Sequence, residues 1–117
     1  MRHHNSNRTL SRTRRGRTAL IRGLALALIE HGKVQTTEAK AKELCPFVER
    51  LVTYGKKNTV ASRRTVSQRL GEPKVAAVKK LFDVIAAGYT ERSGGYTRII
   101  KMGLGKSGRQ EAVIEFV

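Results

Sequence analysis

The sequence predicts an α+β protein. Its elements read helix, strand, three helices, two strands, behind a basic N-terminal extension. Three observations predict this. Apolar residues recur at helical spacing through residues 18–88, in four stretches parted by glycines or capping residues. Alternation replaces that spacing at 33–36, and again in two runs between 96 and 117. Ahead of all of them, residues 1–17 hold only Met1 and Leu10 as apolar side chains.

The first helix is expected over residues 18–31. Ile21, Leu24 and Leu28 share one face, and Leu20, Leu24 and Ala27 share an overlapping one. That surface is wide enough to make this helix central. Gly32 stops it, with His31 in the last turn. Residues 33–36 alternate and are partly β-branched, so they read as a short strand. Thr37 can cap the second helix, expected over 38–55, and Glu38 suits its first turn. Ala41, Leu44, Val48, Leu51 and Val52 form its apolar face. Pro46 lacks the N–H that would bond the carbonyl of Lys42, so a kink or break is expected there.

Asn58 or Thr59 starts the third helix, which ends at Leu70 before Gly71. Pro73 opens the fourth at its first position. Val75, Val78, Phe82 and Ile85 are expected to be buried along it, with a stop at Gly88. Residues 96–102 and 111–117 then form an antiparallel hairpin, with Ala112, Ile114 and Phe116 on one face. Gly103, Gly105 and Gly108 lie between them and give it a long, flexible, basic tip.

The chain has 117 residues and a formal net charge of +15. That length suits one globular domain, residues 18–117, behind the extension of residues 1–17. The charge is graded. Residues 1–29 carry seven basic and no acidic side chains, 30–88 carry twelve and six, and 89–117 carry five and three. Hydrophobic content of 39%, with three Phe and no Trp, allows a modest and mostly aliphatic core. One cysteine, Cys45, excludes an internal disulfide and suits a reducing compartment. The longest apolar run, residues 24–29, is far short of a membrane span. It imitates the core of a signal peptide, but His31-Gly32-Lys33 is a poor cleavage site. The Arg-rich start also resembles an organellar transit peptide, a weaker reading because it runs straight into a helix.

The extension holds Arg2, Arg8, Arg12, Arg14, Arg15 and Arg17, with His3 and His4, and Arg22 follows in the first helix. The first acidic residue is Glu30. Such a segment cannot bury enough surface to offset the entropy of ordering its backbone, so it is expected to be mobile until it meets a polyanion. No lysine precedes Lys33. Guanidinium is planar, always charged and bidentate, which suits phosphates in fixed positions. A solubilising tail would need neither this density nor this uniformity. Three Tyr are too few for a ladder of base-stacking platforms. The expected partner is therefore a folded nucleic acid, read through backbone and shape.

Other chemistry is weaker. Gly105-Lys106-Ser107 imitates the end of a P-loop, but Ile100 stands where the loop needs glycine, and strand residues follow instead of a helix. Lys106 and Arg109 read better as charges on a hairpin tip. His3, His4 and Cys45 lack any metal-ligand spacing, and Cys45 has no assignable base. The nine acids are scattered among basic residues, so no catalytic pair is read. No cofactor, metal, membrane or small-molecule substrate is expected. Arg63 and Arg64 either extend the basic surface or solvate the outer face of the third helix. A helix-turn-helix reading of the third and fourth helices is disfavoured by Asp83 and by the lack of Asn or Gln for base edges.

Residues 92–101, Arg-Ser-Gly-Gly-Tyr-Thr-Arg-Ile-Ile-Lys, differ in kind. Gly94 and Gly95 permit close backbone approach to a sugar-phosphate chain. Arg92, Arg98 and Lys101 flank that opening, and Tyr96 and Thr97 add hydroxyls. A plain loop-to-strand entry is the alternative.

Gly-Gly-Tyr-Thr-Arg-Ile at 94–99 resembles the signature of the bacterial large-subunit ribosomal protein seventeen family. Other pieces agree in order: Met1-Arg2-His3, Thr36-Thr37 before Ala39-Lys40-Ala41-Lys42-Glu43-Leu44, Lys80-Leu81-Phe82-Asp83, and Val113-Ile114-Glu115-Phe116-Val117. The resemblance implies a non-enzymatic structural component of the large subunit that binds large-subunit ribosomal RNA near the outer mouth of the peptide exit tunnel. It implies a two-layer α+β fold with a small three-stranded mixed sheet, and large-subunit protein thirty-two as a neighbour. It also implies residence in the ribosome of the cytoplasm in preference to an organelle. By position, Arg2, His3 and residues 94–98 would touch RNA. The chain departs from the family pattern at His4, at Cys45, among the arginines of 12–17 and at the tip, 103–110. An architectural DNA- or RNA-binding module outside the ribosome is the runner-up.

Overall fold

Thr13 starts the first helix earlier than its apolar pattern does. Its hydroxyl accepts a hydrogen bond from the N–H of Gly16 at 3.2 Å, so α1 runs Arg14–His31. The expected start at residue 18 is corrected, because capping and not apolar spacing sets the boundary. The computed structural model describes residue 10 and residues 12–117. The expectation of a mobile extension falls mostly on residues outside these, but residues 14–17 are helical. Gly32 ends α1 at φ 81°, its N–H bonded to the carbonyl of Leu28 at 2.7 Å.

β1 (Lys33–Thr37) leads directly into α2 (Glu38–Lys57). The Thr37 hydroxyl accepts from the N–H of Lys40 at 3.3 Å. α2 is continuous through Pro46, so the expected break is absent. Leu44 before the proline and Val48, Leu51 and Val52 after it are all fully buried. Packing on both sides outweighs one missing hydrogen bond. α2 is the central helix, in place of α1: it touches α1, α3, all three strands and the segment 81–89.

Asn58 takes a left-handed conformation after α2, and Thr59 with Ser62 forms a reciprocal capping box for α3 (Val60–Arg69). Pro73 lies just outside α4 (Val75–Lys80) and not at its first position. A π-helical turn, Leu81–Ile85, follows, then a 3-10 turn, Ala86–Tyr89. The N–H of Ala86 bonds the carbonyl of Leu81. This wider turn brings Leu81 and Ala86 onto the buried face together. The expected face is therefore rotated. Phe82 is buried, Val78 and Ile85 are half-buried, and Val75 is 81% exposed.

The remaining strands are β2 (Thr97–Leu104) and β3 (Gln110–Phe116), and the sheet order is β1-β3-β2. Both pairings are antiparallel, which corrects the expected mixed sheet. β1 and β2 do run the same way, but β3 lies between them. Ile114 faces Val34 and Ile99 across the inner side, under the helices. Met102 is the extra residue of a bulge, where Lys101 pairs Ala112 and Gly103 pairs Glu111. The tip is shorter than expected, since the N–H of Gly105 closes it on the carbonyl of Arg109 at 2.8 Å.

Two glycines inside helices make a contrast. Gly55 is buried in α2 against Ala86, whereas Gly23 in α1 is exposed, and an added Cβ there would meet nothing within 4 Å. Gly23→Ala should therefore stabilise the protein by roughly 0.4–1 kcal/mol, through helix propensity and a less flexible unfolded chain. Thermal unfolding checks this, and a lower midpoint would contradict it.

Candidate nucleic-acid interface

The turn before β2 is built on two glycines that side chains would strain. Gly94 has φ 147° and Gly95 φ 62°. Arg92 fastens the turn from one side, its Nε donating to the carbonyl of Gly94 at 3.0 Å. Its own carbonyl accepts from the Tyr96 hydroxyl at 3.1 Å and from the Lys56 ammonium. Tyr96 is only 3% exposed. Its ring lies 5.3 Å from that of Tyr89, and Lys56 Nζ sits 5.2 Å from its centroid. The Thr97 hydroxyl lies 3.1 Å from Cys45 Sγ, with a longer 3.4 Å contact to Glu49.

The segment thus divides by role. Gly95 and Arg98 are exposed and Gly94 is half-buried, while the hydroxyls of Tyr96 and Thr97, read from sequence as surface contacts, point into the protein and hold the turn. Arg98 sits on the outer side of the sheet, paired through Nε with Glu115 at 2.6 Å, its side chain 59% exposed. Lys33 lies opposite Glu115 from the other edge, so a row of cation, anion and cation crosses three strands. One carboxylate holds Arg98 in place but leaves the terminal nitrogens of its fork without a partner among the described residues. Arg98→Ala should weaken RNA binding by about 1–3 kcal/mol without unfolding the chain. Binding equal to that of the parent would remove Arg98 from the interface.

The other predicted residues are spread over the surface. Arg12, Arg14 and Arg15 are exposed around the start of α1, and Arg17 Nη1 bonds the carbonyl of Arg12 at 2.9 Å. Arg22 donates from Nε to the carbonyl of Arg69 at 2.9 Å, which satisfies the end of α3. Arg63 bonds Asn58, pairs with Asp83 at 3.1 Å and lies 4.7 Å over the ring of Phe82. Arg64 is exposed beside it with no such partner among the described residues. Lys101 reaches Glu38 at 3.6 Å, and Lys42 reaches the same carboxylate at 2.8 Å. The hydrogen bond from Lys42 is the main cause that holds Glu38 below the ordinary carboxylate range. Arg2, His3, His4 and Arg8 lie outside the described residues.

One further basic group was not singled out from the sequence. Lys40, on the first turn of α2, shares a cleft with Arg12 and the hairpin-tip Arg109. Its alternation with Ala39 and Ala41 hid it, because it reads as a solvated helix position. α2 runs between the two regions. Sixteen residues separate Lys40 near its start from Lys56 near the 92–98 turn, which is about 24 Å of helix.

Cys45 is half-buried, and desolvation pushes its thiol above the ordinary range, so it is a poor nucleophile at neutral pH. Cys45→Ser should leave RNA binding unchanged and cost at most about 1 kcal/mol of stability. A folded variant that fails to bind would contradict this. Among the described residues no group of three His, Cys, Asp or Glu could hold a metal, and no helix is long and apolar enough to cross a membrane.

Comparison with known proteins decides the family. A family model described as Ribosomal protein L17 matches residues 20–117, nearly the whole described fold. The chain belongs to the ribosomal protein L17 family. Large ribosomal subunit protein bL17 of Sphingopyxis alaskensis is 50% identical over all of this chain and 84% of its own length. The protein of the same name from Persephonella marina is 51% identical over all of this chain and 95% of its own. That of Fusobacterium nucleatum is 45% identical, with both chains covered in full. The L17 match spans both basic regions of the folded part, the 92–98 turn and the residues around Lys40.

Proposed function

We propose that this chain is a non-catalytic structural constituent of the large ribosomal subunit of a bacterial-type ribosome in the cytoplasm. It binds large-subunit ribosomal RNA through its N-terminal arginines and the outward residues of the 92–98 turn. The observation that carries this reading is full-length identity near 50% to proteins named for the large ribosomal subunit. Seven arginines before the first acid supply the charge, and α2 spaces the two basic regions far enough apart to reach separate RNA segments.

A protein neighbour fits the open side of the sheet. Ile100 is exposed there beside Val113, and Met102 is exposed at the bulge that follows it. Large-subunit protein thirty-two, implied by the sequence resemblance, is the proposed neighbour.

The test is competition binding of the full chain to large-subunit ribosomal RNA in moderate salt. Small-subunit ribosomal RNA and duplex DNA serve as competitors. Retention on the large-subunit RNA against excess competitor supports the reading. Displacement by both competitors as readily as by unlabelled large-subunit RNA would favour a general architectural module.

A further inference from the structure

Three segments far apart in sequence converge on one cleft of about 350 Å3, lined by Leu10, Arg12, Thr37, Lys40 and Arg109. Arg12 comes from the N-terminal segment, Thr37 and Lys40 from the junction of β1 with α2, and Arg109 from the hairpin tip. All three charges are positive. The two carboxylates nearest in sequence are engaged elsewhere. Glu38 pairs with Lys42 at 2.8 Å and Lys101 at 3.6 Å, and Glu111 accepts from Gln35 at 3.2 Å and lies over Gly105. Among the described residues neither Lys40 nor Arg109 has an ion pair. The first turn of a twenty-residue helix adds N–H groups without helical partners and the positive end of its dipole. The Thr37 hydroxyl satisfies only the N–H of Lys40. Three like charges lining one cleft, with no ion pair to Lys40 or Arg109 among the described residues, raise the energy of the free protein. A monoanion with several acceptor oxygens relieves that cost and fits the donors.

We propose that this cleft grips a single backbone phosphate of the bound RNA. The inference rests on the RNA-binding reading above and sharpens it to one group. Its consequence is mechanical: one phosphate ties the N-terminal segment, the start of α2 and the hairpin tip together. Arg109 and Lys40 then belong to the interface although neither lies in the Arg-rich segment nor in the 92–98 turn.

The test uses the full chain and the Lys40→Gln/Arg109→Gln double variant, both checked for folding by circular dichroism. Inorganic phosphate is titrated at constant ionic strength while backbone amide NMR shifts are followed. The expected result is saturable shifts at Thr37, Lys40 and Arg109 in the parent, lost in the variant. Binding to large-subunit ribosomal RNA is then measured against salt, and the slope should fall by about 0.7–0.9 in the variant, the value for one phosphate. If the parent does not bind this RNA, the functional reading fails, and the phosphate titration alone judges the cleft. No saturable shift at these amides overturns the inference. So does a folded variant whose RNA salt slope equals that of the parent, even if free phosphate binds.

Discussion

Replacing the arginines at 2, 8, 12, 14, 15 and 17 by glutamine is expected to lower the salt slope of RNA binding by up to about 4. The figure follows from roughly 0.7 counterions released per phosphate contact and six arginines. Between 50 and 200 mM salt, a slope difference of 4 shrinks the advantage of the parent about 250-fold. Substitution is preferable to deletion here. Arg14 and the residues after it lie inside α1 under the Thr13 cap, so truncation at residue 17 would also remove a helical turn. Glutamine keeps helix propensity close to that of arginine, so the change isolates charge. Arg12 and Arg17 retain their polar character near the carbonyls they now contact. An unchanged slope would mean that these arginines do not meet phosphate.

The largest expected loss of stability is at Gly55. A Cβ built there would lie 2.7 Å from the Cβ of Ala86, closer than side chains pack. Helix propensity alone would favour alanine by up to about 1 kcal/mol, as at Gly23. Packing reverses the sign, since α2 and the segment after the π-helical turn approach each other through this glycine. Gly55→Val should cost about 1–3 kcal/mol or more from overpacking in a fully buried place. For a chain of this size that lowers the unfolding midpoint by roughly 4–8 °C per kcal/mol. The compensating pair Gly55→Ala/Ala86→Gly moves the methyl across the contact and should recover much of the loss of Gly55→Ala alone. A midpoint for Gly55→Val equal to that of the parent would show that the contact is loose.

These two sites mark what the sequence displayed and what it hid. The face of α2 was legible because Ala41, Leu44, Val48, Leu51 and Val52 keep strict helical spacing, and all five are buried. The hairpin was legible from alternation, and Ala112 and Ile114 face inward as read. Gly55 was taken for a helix end because a buried close approach leaves no trace in local spacing. The π-helical turn was hidden for the same reason, since one extra residue per turn breaks the periodicity that defines a face. Strand direction was misjudged through the resemblance, which implied a mixed sheet; β1 pairs antiparallel with β3, and alternation along a strand does not report its direction.

At the candidate interface, Arg98 and the two glycines were singled out by residue type, and the structure leaves Gly95 and Arg98 exposed and Gly94 half-buried. Tyr96 and Thr97 were read by hydroxyl alone, which does not tell an inward side chain from an outward one. Buried Tyr96 joins Lys56 and Arg92, partners 40 and 4 residues away, and only tertiary structure brings the first of them near. Lys40 was not singled out because its nearness to Arg12 and Arg109 is a tertiary feature that sequence spacing does not connect.

The most direct measurement is co-sedimentation of the tagged full chain with ribosomal particles from its own cells, washed at high salt before the sucrose gradient. A structural constituent gripped by several phosphates and buried glycine-backbone contacts should stay with the large-subunit peak at close to one copy per particle. The account predicts that result. Complete release into the soluble fractions, or equal distribution over the small-subunit peak and free nucleic acid, would contradict it.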